Sequence, residues 1–212
     1  ARELPKESHF DFGLRAIKAT IDLMQTIAQA NGYSDELAIA ARAVLCRNFP
    51  MVACGTRDKL QVMIKEHFGS EPALPEGWPD KYVMIKDTLN IRHGSVLVGA
   101  SPNDVDADLA GIREQAGREG AEIARVPGTM DGEFAANFEK ALQASVAEDK
   151  KVWLIVVVGT NQEEIPKCLE MLNTTLDDNK VFINQAGDRT PLRAGTRIVL
   201  LARDCAGFPP AS

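Results

Sequence analysis

The chain has 212 residues, 45% apolar and 25% charged, a composition that excludes intrinsic disorder and collagen and suits one large domain or two small ones. Lys and Arg number 24 against 30 Asp and Glu, a net charge of −6, and no basic block offers a surface for nucleic acid. The longest apolar run, Val152 to Val158, falls far short of the roughly 20 residues that a membrane-spanning helix needs, so no membrane partner is expected.

From Phe12 to Ala30 the larger apolar residues fall at Leu14, Ile17, Ile21, Met24 and Ile27, which predicts a helix with one apolar stripe that stops at Asn31-Gly32. Ser34 is the expected N-cap of a second helix burying Leu37, Ala41, Val44 and Leu45 and ending near Asn48-Phe49-Pro50. A third helix is expected to open at Thr56, bury Leu60, Met63, Ile64 and Phe68, and finish at Gly69. Residues 1–69 therefore read as an all-helical subdomain. Ser70 to Asp80 holds Pro72, Pro75, Pro79 and Gly77, which regular elements do not tolerate, and reads as a strap with Trp78 pinning it to a neighbour.

The remainder, 81–212, reads as an α/β domain. One helix, Lys81 to Arg92, precedes strands at Ser95–Gly99, Ala121–Val126, Val152–Val158 and Thr196–Ala202; the last two are near-continuous apolar runs that imply parallel pairing in a sheet covered on both faces. Helices between them carry Val105, Leu109, Ile112 and Ala116, then Phe134, Phe138, Leu142 and Val146, then Ile165, Leu169, Leu172 and Leu176, giving a three-layer βαβ architecture. Val181–Asn184 and Gly187–Arg189 suggest a small hairpin before the last strand.

Parallel sheets bind ligands at the carboxyl ends of their strands, so the first strand-to-helix turn is the place to test. A phosphate loop of the G-x-x-x-x-G-K-[ST] type needs a second glycine to wrap amides round the phosphates, a lysine to meet their charge and a hydroxyl for magnesium. With Gly99 as the first glycine, Asp104 holds the second glycine's place, Val105 the lysine's and Asp106 the hydroxyl's. Two carboxylates there repel a phosphate instead of holding it. The strand Val152–Val158 leads into Gly159-Thr160-Asn161 rather than into an acidic residue, and Glu163 and Glu164 read as favourable charges at a helix start.

Other chemistry is sparse. His9, His67 and His93 are far apart, with no partner at metal-ligand spacing, and His93 reads as an imidazole meeting the negative end of a helix. Asp177-Asp178-Asn179-Lys180 lacks the glycine and distal glutamate of a calcium loop. Asp104, Asp106 and Asp108 leave open a rival reading, an independent α/β enzyme or nucleotide-binding protein working through the acidic loop 103–108, although helix-surface aspartates explain them more simply. Cys46, Cys54, Cys168 and Cys205 include no C-x-x-C pair and Ala1-Arg2-Glu3-Leu4-Pro5 no secretory apolar core; a reduced intracellular chain with buried thiols is expected, a Cys46–Cys54 bridge being the alternative that spacing allows.

Two stretches carry a family resemblance. Asp11-Phe12-Gly13-Leu14-Arg15-Ala16-Ile17-Lys18 resembles the helix closing the first AAA+ module of dynein heavy chains, and Leu172-Asn173-Thr174-Thr175-Leu176-Asp177-Asp178-Asn179-Lys180 resembles a signature of the second module. Leu89 to Gly99 is similar to the helix and strand that lead into the second module's phosphate loop. The resemblance implies a fold in which the helical lid of one AAA+ module is followed by the P-loop-NTPase-like large part of the next. It implies a parent that moves along microtubules by hydrolysing ATP, partnered by neighbouring modules of the same heavy chain and placed on the cytoskeleton or in a cilium. Arg15 then matches the lid arginine that reaches the nucleotide of the preceding module, and Asn161 takes the place of the magnesium-holding aspartate. ATP or ADP with Mg belongs to the parent motor; with Gly99, Asp104, Val105, Asp106 and Asn161 as its phosphate and metal positions, this segment is expected to bind none and to catalyse nothing itself.

Overall fold

A computed structural model describes residues 13–31, 35–52, 54–69, 72, 74, 76–98, 105–128, 133–147, 151–157, 164–177, 179–184 and 186–202. The chain forms two compact units, divided between Ile91 and Arg92.

The first unit is helical: α1 (Leu14–Asn31), α2 (Glu36–Asn48), a 3-10 turn (Phe49–Met51), α3 (Cys54–Phe68) and α4 (Lys81–Ile91). Asp35, not Ser34, caps α2, its carboxylate accepting from the Ala38 amide at 2.9 Å and satisfying a first-turn donor. α3 starts two residues before Thr56 and ends where expected, at Gly69, whose φ of 67° is a left-handed value that favours glycine. Ala41, Leu45, Phe49, Val52, Leu60 and Ile64 form one core cluster, and Leu23, Ile27, Ala43 and Cys46 another.

The expected apolar stripe on α1 is only partly covered. Ile27 is buried, but Leu14, Ile17 and Ile21 are 85%, 54% and 48% exposed, because within this unit the α1 core is built from Ala16, Leu23, Ile27 and Ala28. Leu37, expected inside, is likewise exposed. In the strap the Trp78 ring lies 4.3 Å from that of Phe49, centroid to centroid, so the pinning expected of Trp78 is made within the helical unit. α4 also packs here, against α1 and α2, with Val83, Ile85 and Leu89 buried and Asp80 capping it through the Tyr82 and Val83 amides. A division at residue 80 thus falls one helix before the break between the compact units.

The second unit holds β1 (Gly94–Val98), α5 (Val105–Arg118), β2 (Ala121–Pro127), α6 (Glu133–Ala147), β3 (Lys151–Val157), α7 (Glu164–Leu176), β4 (Val181–Ile183), β5 (Arg189–Pro191) and β6 (Arg197–Ala202). Four strands make a wholly parallel sheet in the order β1-β6-β3-β2, and β4 pairs antiparallel with β5 as the expected small hairpin. Val152, Leu154 and Val156 of β3 join Ile198, Leu200 and Ala202 of β6 beneath Phe134, Phe138 and Leu142 of α6 and Cys168 and Leu172 of α7. The alternate residues Trp153, Ile155, Val199 and Leu201 point to the opposite face and are buried equally. Burial of both faces is why β3 and β6 read as unbroken apolar runs. The architecture is the α/β class expected, consistent with an AAA+-like domain.

Candidate functional site at the carboxyl edge of the sheet

The register places Leu97 of β1 beside Leu201 of β6, Leu201 beside Val157 of β3, and Val157 beside Pro127 of β2. All four strands therefore end along one line, and the chain leaves each of them at the same edge. β6 lies between β1 and β3, so the bases of the segments following those two strands stand about 10 Å apart, twice the spacing of neighbouring strands. This edge is where a ligand of a parallel sheet would sit.

Of the residues assigned to phosphate and metal positions, Gly99, Asp104 and Asn161 lie outside the described residues. Val105 is the first residue of α5 and half-buried, and Asp106 follows it, exposed. Asp106 and Asp108 occupy the first turn of α5, so carboxylates already sit where the helix's positive end would meet a phosphate. The two diverge: Asp106 is exposed, whereas Asp108 is 2% exposed and enclosed, contrary to its reading as a surface aspartate. The divergence separates two members of the rival acid cluster. Arg15 lies in the first turn of α1, but its side chain is outside the described set. Glu164 opens α7; Glu163 is outside the described residues.

Features not anticipated from the sequence support this edge from below. The Gly128 amide donates to the Val157 carbonyl at 2.8 Å, extending the β2–β3 pairing by one residue past the strand end. The Cys168 thiol, fully buried on α7, points at the Gly128 carbonyl at 3.5 Å. Cys46 and Cys168 are both free buried thiols, which removes the Cys46–Cys54 bridge. Their burial was expected; the tie from Cys168 to Gly128 joins residues 40 apart and no local pattern announces it. His67 is exposed and bonds within its own helix to the Met63 carbonyl, while His93 meets the end of α7.

No protein-family model matches the chain. Individual relatives do. The chain is 23% identical to dynein axonemal heavy chain 8 of Homo sapiens across 99% of its own length. It is 25% identical to the cytoplasmic dynein heavy chain of Fusarium vanettenii and 22% identical to the ciliary dynein beta chain of Tripneustes gratilla, each across 92% of its length. It spans only 5 to 6% of those proteins. Over 92 to 99% of its length the chain is therefore similar in sequence to one segment of dynein heavy chains.

Proposed function

We propose that this chain serves as a structural and coupling segment of an ATP-driven microtubule motor. In this reading residues 1–69 are the helical lid of one AAA+ module, 70–80 a strap, and 81–212 the large part of the next module, with its nucleotide chemistry lost. The observation that carries it is the sequence between β1 and α5. That stretch has neither the lysine nor the second glycine of a phosphate loop, and Asp106 and Asp108 already complement the α5 N-terminus. Neighbouring AAA+ modules of the same heavy chain are the immediate partners, and microtubules are engaged through the parent motor. ATP or ADP with Mg works in other modules, and the setting is the cytoskeleton or a cilium.

The exposed α1 residues Leu14, Ile17 and Ile21 support this reading, since a lid helix needs an apolar face for the module it closes. Arg15, within that same stretch, is the residue proposed to reach the nucleotide of the preceding module. The test is equilibrium titration of the chain with a fluorescent ATP analogue and magnesium. Binding no tighter than millimolar is expected; saturable micromolar binding would overturn the lost-chemistry reading.

A further inference from the structure

The helix α4 carries Tyr82, Val83, Met84 and Ile85 in succession, and at about 100° per residue four consecutive apolar side chains point round the whole helix. From Tyr82 to Leu89 every residue is buried or half-buried. Such a helix has no single apolar stripe to select its rotation against a neighbour. The facing surface of α2 offers a polar mark instead. Arg42 Nη2 lies 4.0 Å from Asp87 Oδ2, with side chains 16% and 14% exposed. Cys46, one turn further along α2, is buried, and both charges act on its thiol.

We infer that Arg42 and Asp87 form a polar latch that fixes the rotation of α4 on α2. An enclosed ion pair adds little net stability, because the desolvation of its two charges offsets their attraction. Its effect falls on the alternatives: in a rotated or slipped α4, Arg42 and Asp87 would each be enclosed without an opposite charge, and those packings are excluded. The thiol suits the arrangement. Burial, and then the Asp87 charge, push it up to about 12, so it stays protonated and can donate.

The test replaces the pair by apolar residues of similar volume that add no methionine, Arg42→Leu with Asp87→Leu, in the whole chain. Methyl-labelled methionine then serves as the probe, since the chain has only six methionines and Met84 lies on α4 against the helical core. The variant is expected to stay folded, with an unchanged or raised urea midpoint, while the single Met84 methyl resonance splits into two or more, or broadens beyond detection. One sharp Met84 resonance in the variant would overturn the inference. Collapse of the folded spectrum would overturn it equally, by making the pair a source of stability instead of alignment.

Discussion

The imidazole Nε2 of His93 lies 2.7 Å from the carbonyl oxygen of Thr175, joining residues 82 apart in sequence. The nitrogen donates to one of the last carbonyls of α7, where the helix's own hydrogen bonds run out and its negative pole favours a donor. The His93 carbonyl in turn accepts from the Ile198 amide at 2.7 Å, so one residue ties together the start of β1, the start of β6 and the end of α7. Gly94 follows at once. A Cβ there would collide with the Leu176 side chain, which is why the strand opens on the smallest residue.

Removing this tie should cost measurable stability. His93→Ala deletes a partly buried hydrogen bond and is expected to lower unfolding free energy by about 1 kcal/mol. Gly94→Ala should cost a similar amount, about 1 to 2 kcal/mol, because the half-buried Leu176 must swing aside. Urea denaturation of the two variants checks both, and values indistinguishable from the parent chain would show the junction to be slack.

The aromatic core of the sheet unit should be far less forgiving. Phe138 is fully buried, with its ring centroid 4.9 Å from that of Phe182 and 5.8 Å from that of Phe134. Phe138→Ala empties a space bounded by α6, β4 and the strands, at an expected cost of about 3 to 5 kcal/mol. Domains of this kind hold about 5 to 15 kcal/mol in total, so the variant should melt many degrees lower, and an unchanged midpoint would contradict the core as described.

The Cys46 thiol gives a pH dependence of definite sign. Burial first, then the Asp87 charge, raise it from an ordinary value of 9.0 to about 12, with Arg42 opposing. A group whose folded value is raised contributes stability that is complete below the unfolded value and lost as pH climbs toward the folded one. Between pH 9 and about 12 the unfolded chain ionises this thiol and the folded chain does not. Stability should therefore fall with rising pH, this residue contributing on the order of 1.4 kcal/mol per pH unit. Cys46→Ala should unfold with a shallower slope over that window than the parent chain. Equal slopes would mean that the thiol ionises as readily folded as unfolded. Native Cys46 should also resist alkylation at pH 8 until the chain is unfolded.

Sequence periodicity located the four strands of the parallel sheet to within one residue at each end and found the three helices between them, because both faces of β3 and β6 are buried and the helices carry clean apolar spacing at Leu109, Phe138 and Leu172. The same reasoning leaves the covering of α1 undetermined. A stripe of Leu14, Ile17 and Ile21 states that a face is apolar but not which surface covers it, and the buried role falls instead to Leu23 and small residues such as Ala16 and Ala28. At the sheet edge the missing lysine and glycine were legible, since they are local. The Asp108 burial, the Cys168 tie to Gly128 and the Arg42–Asp87 pair were not, because each joins segments that meet only after folding.

That exposed stripe yields the sharpest test of the proposed place in a motor. Leu14, Ile17 and Ile21 recur at three- and four-residue spacing and are 85%, 54% and 48% exposed, and Ile17 and Ile21 border a groove shared with Val44, Arg47 and Asn48 of α2. Three large aliphatic residues aligned on one helix and left to water are costly to keep unless something covers them. If a neighbouring module does so, charging the face should be nearly harmless in this chain alone and disruptive in the parent. Ile17→Asp with Ile21→Asp should change the stability of the isolated chain by about 1 kcal/mol or less, helix propensity being the only large loss. In the full heavy chain the same pair should slow ATP turnover and microtubule gliding, since burying two carboxylates against an apolar partner is strongly unfavourable. Full motor activity with both aspartates present would leave this face without a covering module and would remove the lid from the proposed assembly.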